Sequence, residues 1–149
     1  MSAVQKACHA RYVLKYHFVW SLKYRKRLLT DSEKQVAFKD ILKGIGSRYW
    51  IGFETVGTDG DHVHLFVSAA PRYAPAELAN IIKSVSAKKM FERFPELREE
   101  LWGGELWEDG YFVRSVGDEV TETVIRAYIE KQGKEENMLF EQLSLFKIS

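Results

Sequence analysis

Trp50-Ile-Gly-Phe-Glu-Thr-Val56, Gly57-Thr-Asp-Gly60, Asp61-His-Val-His-Leu-Phe-Val-Ser68 is the stretch that decides the fold. Its outer segments are rich in β-branched and aromatic residues and a Gly/Asp turn joins them, so it reads as an antiparallel hairpin. Both flanks of the hairpin read as helical. Upstream, Thr30-Asp31-Ser32-Glu33 forms a capping box, with Thr30 accepting from the backbone and Glu33 reaching back. Behind it Phe38, Ile41, Leu42, Ile45 and Tyr49 recur at i, i+3, i+4, i+7 and i+11, one face of an amphipathic helix. Downstream, Pro75 suits a first helical turn, Leu78, Ile81, Ile82 and Val85 supply the apolar face, and Pro95 closes the helix.

Further out, Tyr12 to Leu22 reads as a strand. Residues 97–110 form an acidic, Gly-containing loop; Leu106 and Trp107 begin a strand that resumes from Tyr111 to Val116. A third helix opens near Asp118, carries Val120, Val124, Ala127 and Tyr128, and ends by Gly133. The order is strand, helix, strand, strand, helix, strand, helix. That is an α+β chain, a ferredoxin-like or RRM-like βαββαβ antiparallel sheet with an added C-terminal helix. One domain over 1–149 is expected, its core about 10–133. The tail 134–149 shows only a weak helical pattern in Met138, Leu139, Leu143 and Phe146.

The 149 residues are enough to bury roughly 70% of the unfolded surface. The 13% aromatic content at 29% charge excludes a disordered chain, and the single cysteine, Cys8, excludes a disulfide framework and a CxxC zinc site. Apolar runs are short and no signal-peptide pattern opens the chain, so a cytoplasmic protein with no membrane partner is expected. The net charge of +1 hides a gradient: +8 over residues 1–50, zero over 51–90 and −7 over 91–149. Such polarity points to a basic face for an anionic partner, nucleic acid first, or to halves that neutralise each other across the fold.

Three local signals bear on chemistry. His62 and His64 alternate with Val63 and Leu65, so both imidazoles share one strand face, about 7 Å apart at Cβ by the strand repeat. They can converge on one metal at about 2.0–2.1 Å per bond, or be a solvent-facing pair on a half-exposed strand. Tyr128 and Gln132 lie one helical turn apart on one face. A phenol can form a covalent intermediate and an amide oxygen can complete a metal shell; the plain alternative is a core tyrosine and a solvated helix end. Lys23-Tyr24-Arg25-Lys26-Arg27 sets four cations around one ring, which suits a phosphate backbone with base stacking or a solvated basic turn. Arg11, Lys15, Lys88 and Lys89 would widen that surface.

The combination is more specific than its parts. His62-Val63-His64 followed by Tyr128-x-x-x-Gln132, with Tyr16-His17-Phe-Val-Trp-Ser-Leu-Lys23-Tyr24-Arg25 and Gly110-Tyr-Phe-Val113, resembles the HUH single-tyrosine transposases of the insertion-sequence-200/605 group. The resemblance runs over roughly residues 10–133. It implies that His62, His64 and Gln132 hold Mg²⁺ or Mn²⁺, and that Tyr128 attacks single-stranded DNA to leave a 5′-phosphotyrosine and a free 3′-OH. It also implies recognition of subterminal hairpins, and a homodimer in which one chain's tyrosine helix completes the other chain's histidine site. Gly117 is the expected hinge for that swing. No nucleotide cofactor is expected, since no P-loop occurs.

Two other readings stand beside this one. A non-catalytic RRM-like nucleic-acid-binding module would stack bases on Phe18, Trp20 and Phe53. A related HUH nickase or replication initiator would keep the nicking chemistry but put it to another use.

Overall fold

The computed structural model describes residues 5–7, 10–12, 14–117 and 119–130; for 5–7, 10–12, 119–123 and 128 it describes the backbone alone. Two three-residue strands, β1 (Gln5–Ala7) and β2 (Ala10–Tyr12), form a small antiparallel pair. The main sheet contains β3 (Lys15–Ser21), β4 (Gly52–Thr58), β5 (His62–Ser68) and β6 (Phe112–Ser115) in the order β4-β5-β3-β6. Every pairing is antiparallel. Helix α1 (Ser32–Tyr49) links β3 to β4, and α2 (Pro75–Arg93) leads from β5 towards β6. Two crossovers interleaved in this way give the expected ferredoxin-like arrangement.

The elements differ from the sequence reading in four details. The first strand is interrupted, so Tyr12 ends β2 and β3 starts at Lys15. The N-cap of α1 is Asp31 rather than Thr30: its Oδ1 accepts from the Lys34 backbone N–H at 2.8 Å. Both residues are competent caps, and Asp31 is the one in extended backbone immediately before the helix. The expected loop over 97–110 contains a five-residue helix, α3 (Glu96–Glu100), pinned by buried Leu97. Leu106 and Trp107 do not form a regular strand; Trp107 makes one isolated bridge to Leu22 before β6 begins.

Alternation along the strands gives the sheet two faces. On one, Phe18, Trp20, Leu22, Val63, Leu65 and Val67 meet Phe38, Ile41, Leu42, Ile45, Leu78 and Ile82 from α1 and α2, the larger core. On the other, α4 (Glu119–Glu130) lays Ile125 and Ile129 on Phe66 and Val116. Arg126 adds an ion pair to Glu54 at 2.9 Å. Glu54 sits where the β4–β5 register shifts, and the irregularity lets one carboxylate serve both Arg126 and Lys15. Among the described residues no helix is long and apolar enough to cross a membrane.

Candidate active site

The histidine pair is positioned by the turn that precedes it. Gly60 has φ +68°, in the left-handed region that glycine enters without penalty. A Cβ there would stand 2.7 Å from Arg27 Nη2, the flexible end of a side chain that could give way, so it is the backbone angle that favours glycine. The Asp61 N–H donates to Asp59 O at 2.6 Å and the Asp59 N–H to His62 O at 2.9 Å, closing the turn so that His62 begins β5.

His62 and His64 then share the face opposite the larger core. Both are essentially inaccessible, at 1% and 0% exposure, and their ring centroids are 5.1 Å apart. They are therefore not the solvent-facing pair that a half-exposed strand would display. His62 Nδ1 stands 2.6 Å from Asp61 Oδ1, and Arg25 Nε donates to Asp61 Oδ2 at 3.3 Å. Burial pushes the Asp61 carboxyl up, but the His62 hydrogen bond and the Arg25 guanidinium outweigh it and hold it below the usual carboxylate range. An ionised Asp61 only accepts, so His62 Nδ1 carries a proton, and in the neutral ring Nε2 keeps its lone pair. That Nε2 lies 3.6 Å from Asp59 Oδ2.

A third histidine joins the pair. His17, wholly buried on β3, places Nε2 3.3 Å from His64 Nδ1, and Phe112 meets its ring edge-on at 6.3 Å. Burial, helped by Arg114, pushes His17 down to about 4. Burial, and behind it His17 and His62, holds His64 well below the ordinary imidazole range. Both rings are neutral at pH 7, the state in which imidazole binds metal. His64 Nε2 is buried with no hydrogen-bond partner among the described residues. A buried nitrogen without a partner, on a ring set close to a second imidazole, is what a divalent cation would satisfy, so the residues fit a metal. Among the described residues no three His, Cys, Asp or Glu side chains converge on one point, so the pair needs a ligand of another type or from elsewhere. Gln132, the expected one, lies outside the described residues.

Tyr128 belongs to α4, the helix that covers the histidine face through Ile125 and Ile129. Gly117, just before that helix, has nothing among the described residues within 4 Å of the position a Cβ would take.

The basic residues separate into groups. Lys15 is corrected as a DNA contact: it is 4% exposed, and its ammonium lies 2.7–2.8 Å from the two Glu54 carboxylate oxygens. Lys88 and Lys89 are exposed on α2, across the sheet from the histidines, and Lys89 reaches Glu92 at 3.8 Å. Arg11 is placed by its backbone in β2. Lys23, Tyr24 and Arg25 form a short 3₁₀ turn at the end of β3, followed by Lys26 and Arg27. Lys23 pairs with Glu108 at 3.5 Å.

This segment meets a partner that sequence reasoning missed. Trp102 packs edge-to-face with Tyr24 at 5.3 Å, and Lys26 Nζ lies 4.3 Å from its ring centre. Tyr24 and Trp102 are 54% and 73% exposed. Tyr24, Arg25 and Trp102 all hold positive φ, a cost that surrounding structure must offset and that is commonly met at binding surfaces. The aromatics of the binding-module reading are elsewhere: Phe18 and Trp20 are buried under the helices, and Phe53 packs on the same core. A cleft of about 400 Å³ lies between α2 and residues 105–111, crossed by Lys83, whose Nζ donates to the Glu108 and Gly110 carbonyls at 2.8 and 2.9 Å. No histidine lines it.

Comparison with known proteins bears directly on this arrangement. Residues 10–132 match the family described as "Transposase IS200 like". The ISDra2 transposase TnpA of Deinococcus radiodurans is 38% identical over 125 residues, covering 84% of this chain and 88% of that one. The transposase for insertion sequence element IS200 of Salmonella typhimurium is 28% identical over 145 residues, 97% of this chain and 93% of the other. A crystal structure of a putative transposase from Deinococcus radiodurans superposes with a TM-score of 0.69 at 35% identity, covering 86% of this chain and 97% of that one. At 11% identity and a TM-score of 0.59, covering 85% of this chain and 72% of the other, a REP-associated tyrosine transposase bound to a REP hairpin shares the fold. The paired histidines on β5, the helix that crosses their face and the match over most of the chain have one reading: this chain belongs to the IS200-like transposase family.

Proposed function

We propose that this chain cleaves and rejoins single-stranded DNA ends through a 5′-phosphotyrosine on Tyr128, with Mg²⁺ or Mn²⁺ held by His62, His64 and Gln132. The observation that carries this reading is the burial of two neutral-competent imidazoles on the sheet face covered by the helix containing Tyr128. The metal, when bound, supplies Lewis-acid polarisation of the scissile phosphate. The protein supplies the rest. Asp61 and Arg25 fix the His62 ring, and the water-poor sheet face strengthens each electrostatic contact.

In the chemical step the Tyr128 phenol gives up its proton to solvent as its oxygen attacks phosphorus, and the bond from phosphorus to the 3′-oxygen breaks. The 3′-oxygen takes up a proton to become 3′-OH, and the 5′ end stays on the tyrosine. Attack by a 3′-OH of another strand reverses these events and releases the phenol. A phenol, with pKa near 10, leaves more readily than an alcohol, so joining needs no nucleotide cofactor.

The proposed DNA surface is residues 23–27 with Trp102, and its substrate is single-stranded DNA with hairpin ends. A hairpin bound to the REP-associated relative supports that partner. Action is proposed in the cytoplasm, as a homodimer whose active sites are completed across chains by a swing of α4 about Gly117. Among the described residues nothing stands within 4 Å of a Gly117 Cβ, which is in keeping with a glycine kept for a second conformation. The binding-module alternative has lost its exposed sheet aromatics.

The test is incubation with labelled single-stranded hairpin DNA in Mg²⁺, in Mn²⁺ or in EDTA, resolved on denaturing gels. A metal-dependent covalent adduct, absent in Tyr128→Phe with DNA binding retained, is expected. Binding with no adduct in either metal across several hairpins would overturn the reading.

A further inference from the structure

We propose that His17 is a positioning residue for His64: its Nε2 accepts the His64 Nδ1 proton and so keeps the His64 Nε2 lone pair available to a divalent metal. This rests on the reading of His62 and His64 as metal ligands and extends it to a residue in another strand.

The two facing nitrogens, His17 Nε2 and His64 Nδ1, are 3.3 Å apart with ring planes 23° from parallel. A contact of that length between neutral imidazoles needs one proton, which can sit on either side. With the proton on His17 Nε2, neutral His64 carries its own proton on Nε2 and cannot ligate through it. With the proton on His64 Nδ1, Nε2 is a lone pair and His17 becomes the acceptor. His17 then bears its proton on Nδ1, which is buried with no hydrogen-bond partner among the described residues. A buried N–H is rarely left in that state without a return. A phenylalanine at position 17, between the strand neighbours Phe66 and Phe112, would satisfy packing with no polar atom to desolvate.

His62 does not share this ambiguity. Its Nδ1 faces a carboxylate, which offers acceptor sites only, so its tautomer is fixed before metal arrives. His64 faces a group that can donate or accept, so its Nε2 lone pair is free only with His17 as the acceptor. The two ligands are therefore built unequally: His62 is committed, and His64 is committed through His17. Removing the partner of a ligating histidine commonly weakens metal binding about 10–100-fold.

The experiment uses the full chain without DNA. Mn²⁺ affinity is measured by calorimetry for wild type, His17→Phe, His17→Gln and His64→Ala. Long-range ¹⁵N–¹H spectra of the four histidines are recorded with and without Mg²⁺. His17→Phe is expected to weaken Mn²⁺ about 10–100-fold, and His17→Gln, whose amide oxygen can accept, to restore most of it. In the Mg²⁺-loaded wild type, His64 is expected as the Nδ1–H tautomer. A His64-dependent site that ignores His17→Phe, or equal losses in Phe and Gln, would overturn the role of His17 alone. Mn²⁺ binding indifferent to His64→Ala would overturn the metal reading beneath it. If His17→Phe does not fold, the wild-type spectrum still decides: an Nε2–H His64 in Mg²⁺ refutes the inference.

Discussion

Helix α4 is held by a contact small enough to be separable from the rest of the fold. Its described apolar anchors are Ile125 and Ile129, 1% and 2% exposed, resting on Phe66 and Val116. None of these four belongs to the larger core between the sheet and helices α1 and α2. Fully burying an isoleucine is worth about 1.5–3 kcal/mol, so the pair supplies roughly 3–6 kcal/mol. The Arg126–Glu54 ion pair, 35% and 24% exposed, adds at most about 1 kcal/mol after solvent screening. Ile129→Ala costs about 2–5 kcal/mol at a buried site, a large part of the attachment made by the described residues. The expected result is local: amide exchange in residues 125–130 accelerates at least tenfold more than in residues 62–68, and the cooperative thermal transition stays in place. A uniform acceleration across both segments, with the global transition lowered by the full cost, would show α4 to be part of one cooperative core and refute the reasoning. Protection unchanged everywhere would show that Ile129 does not carry the attachment. Adduct formation in the same variant should fall with the protection of α4, since Tyr128 rides on that helix.

Two further outcomes are expected. Trp102→Ala should weaken binding of a short thymidylate strand about 5–100-fold at fixed salt, from the ~1–3 kcal/mol a stacked base contributes, and should barely change binding of an abasic strand with the same phosphates; equal losses on both would mean that Trp102 supports the fold or the charge rather than a base. Stability of the chelator-treated protein should fall as pH drops from 6.5 to 4, because unfolded His17 takes up a proton near 6.5 while folded His17, pressed by burial and by Arg114 beside neutral His64 and Phe112, resists until about 4. That gap is worth roughly 3 kcal/mol at the acid end and nothing above pH 6.5. Urea titrations of wild type and His17→Phe test it: the variant should show a shallower acid limb, and an equal slope in both would refute the assignment.

The parts of the fold that sequence made legible are those encoded locally. Period-two and period-3.6 patterns placed the hairpin at residues 52–68 and both long helices, because each signal lies within one element. Choosing Asp31 over Thr30 as the cap needs the backbone angle one residue before α1, and both side chains satisfy the same pattern. Helix α3 was hidden because four of its five residues are charged, which leaves no apolar period to count. The site divides in the same way. His62 and His64 stand two apart and were visible; His17 sits 47 residues from its partner, and only the β3–β5 register joins them. One signal could have found it: on β3, Lys15, His17 and Val19 share a face, so a histidine within an otherwise apolar strand already asks what it meets. Lys15 counts as a cation in any sequence tally until Glu54, at the register shift in β4, is seen to neutralise it. Trp102 gave no signal, because its meaning depends on Tyr24 across a loop.

The two faces of the sheet explain how a chain this short can hold a reactive centre and remain folded. Polar groups buried within the larger core would each carry a desolvation cost against the packing that holds the molecule together. Here the strand period sends them the other way. Every second residue of β3 and β5, from Phe18 to Leu22 and from Val63 to Val67, builds the apolar core with α1 and α2. The intervening positions are free to be His17, His62 and His64, and among the described residues that face is covered by the small α4 contact. A cost at the site, such as the buried nitrogen of His17 or the orphaned Nε2 of His64, is thus borne on the face away from the larger core. The buried histidines are assigned to one face and the larger apolar core to the other, and the assignment follows from the alternation of side chains along two strands.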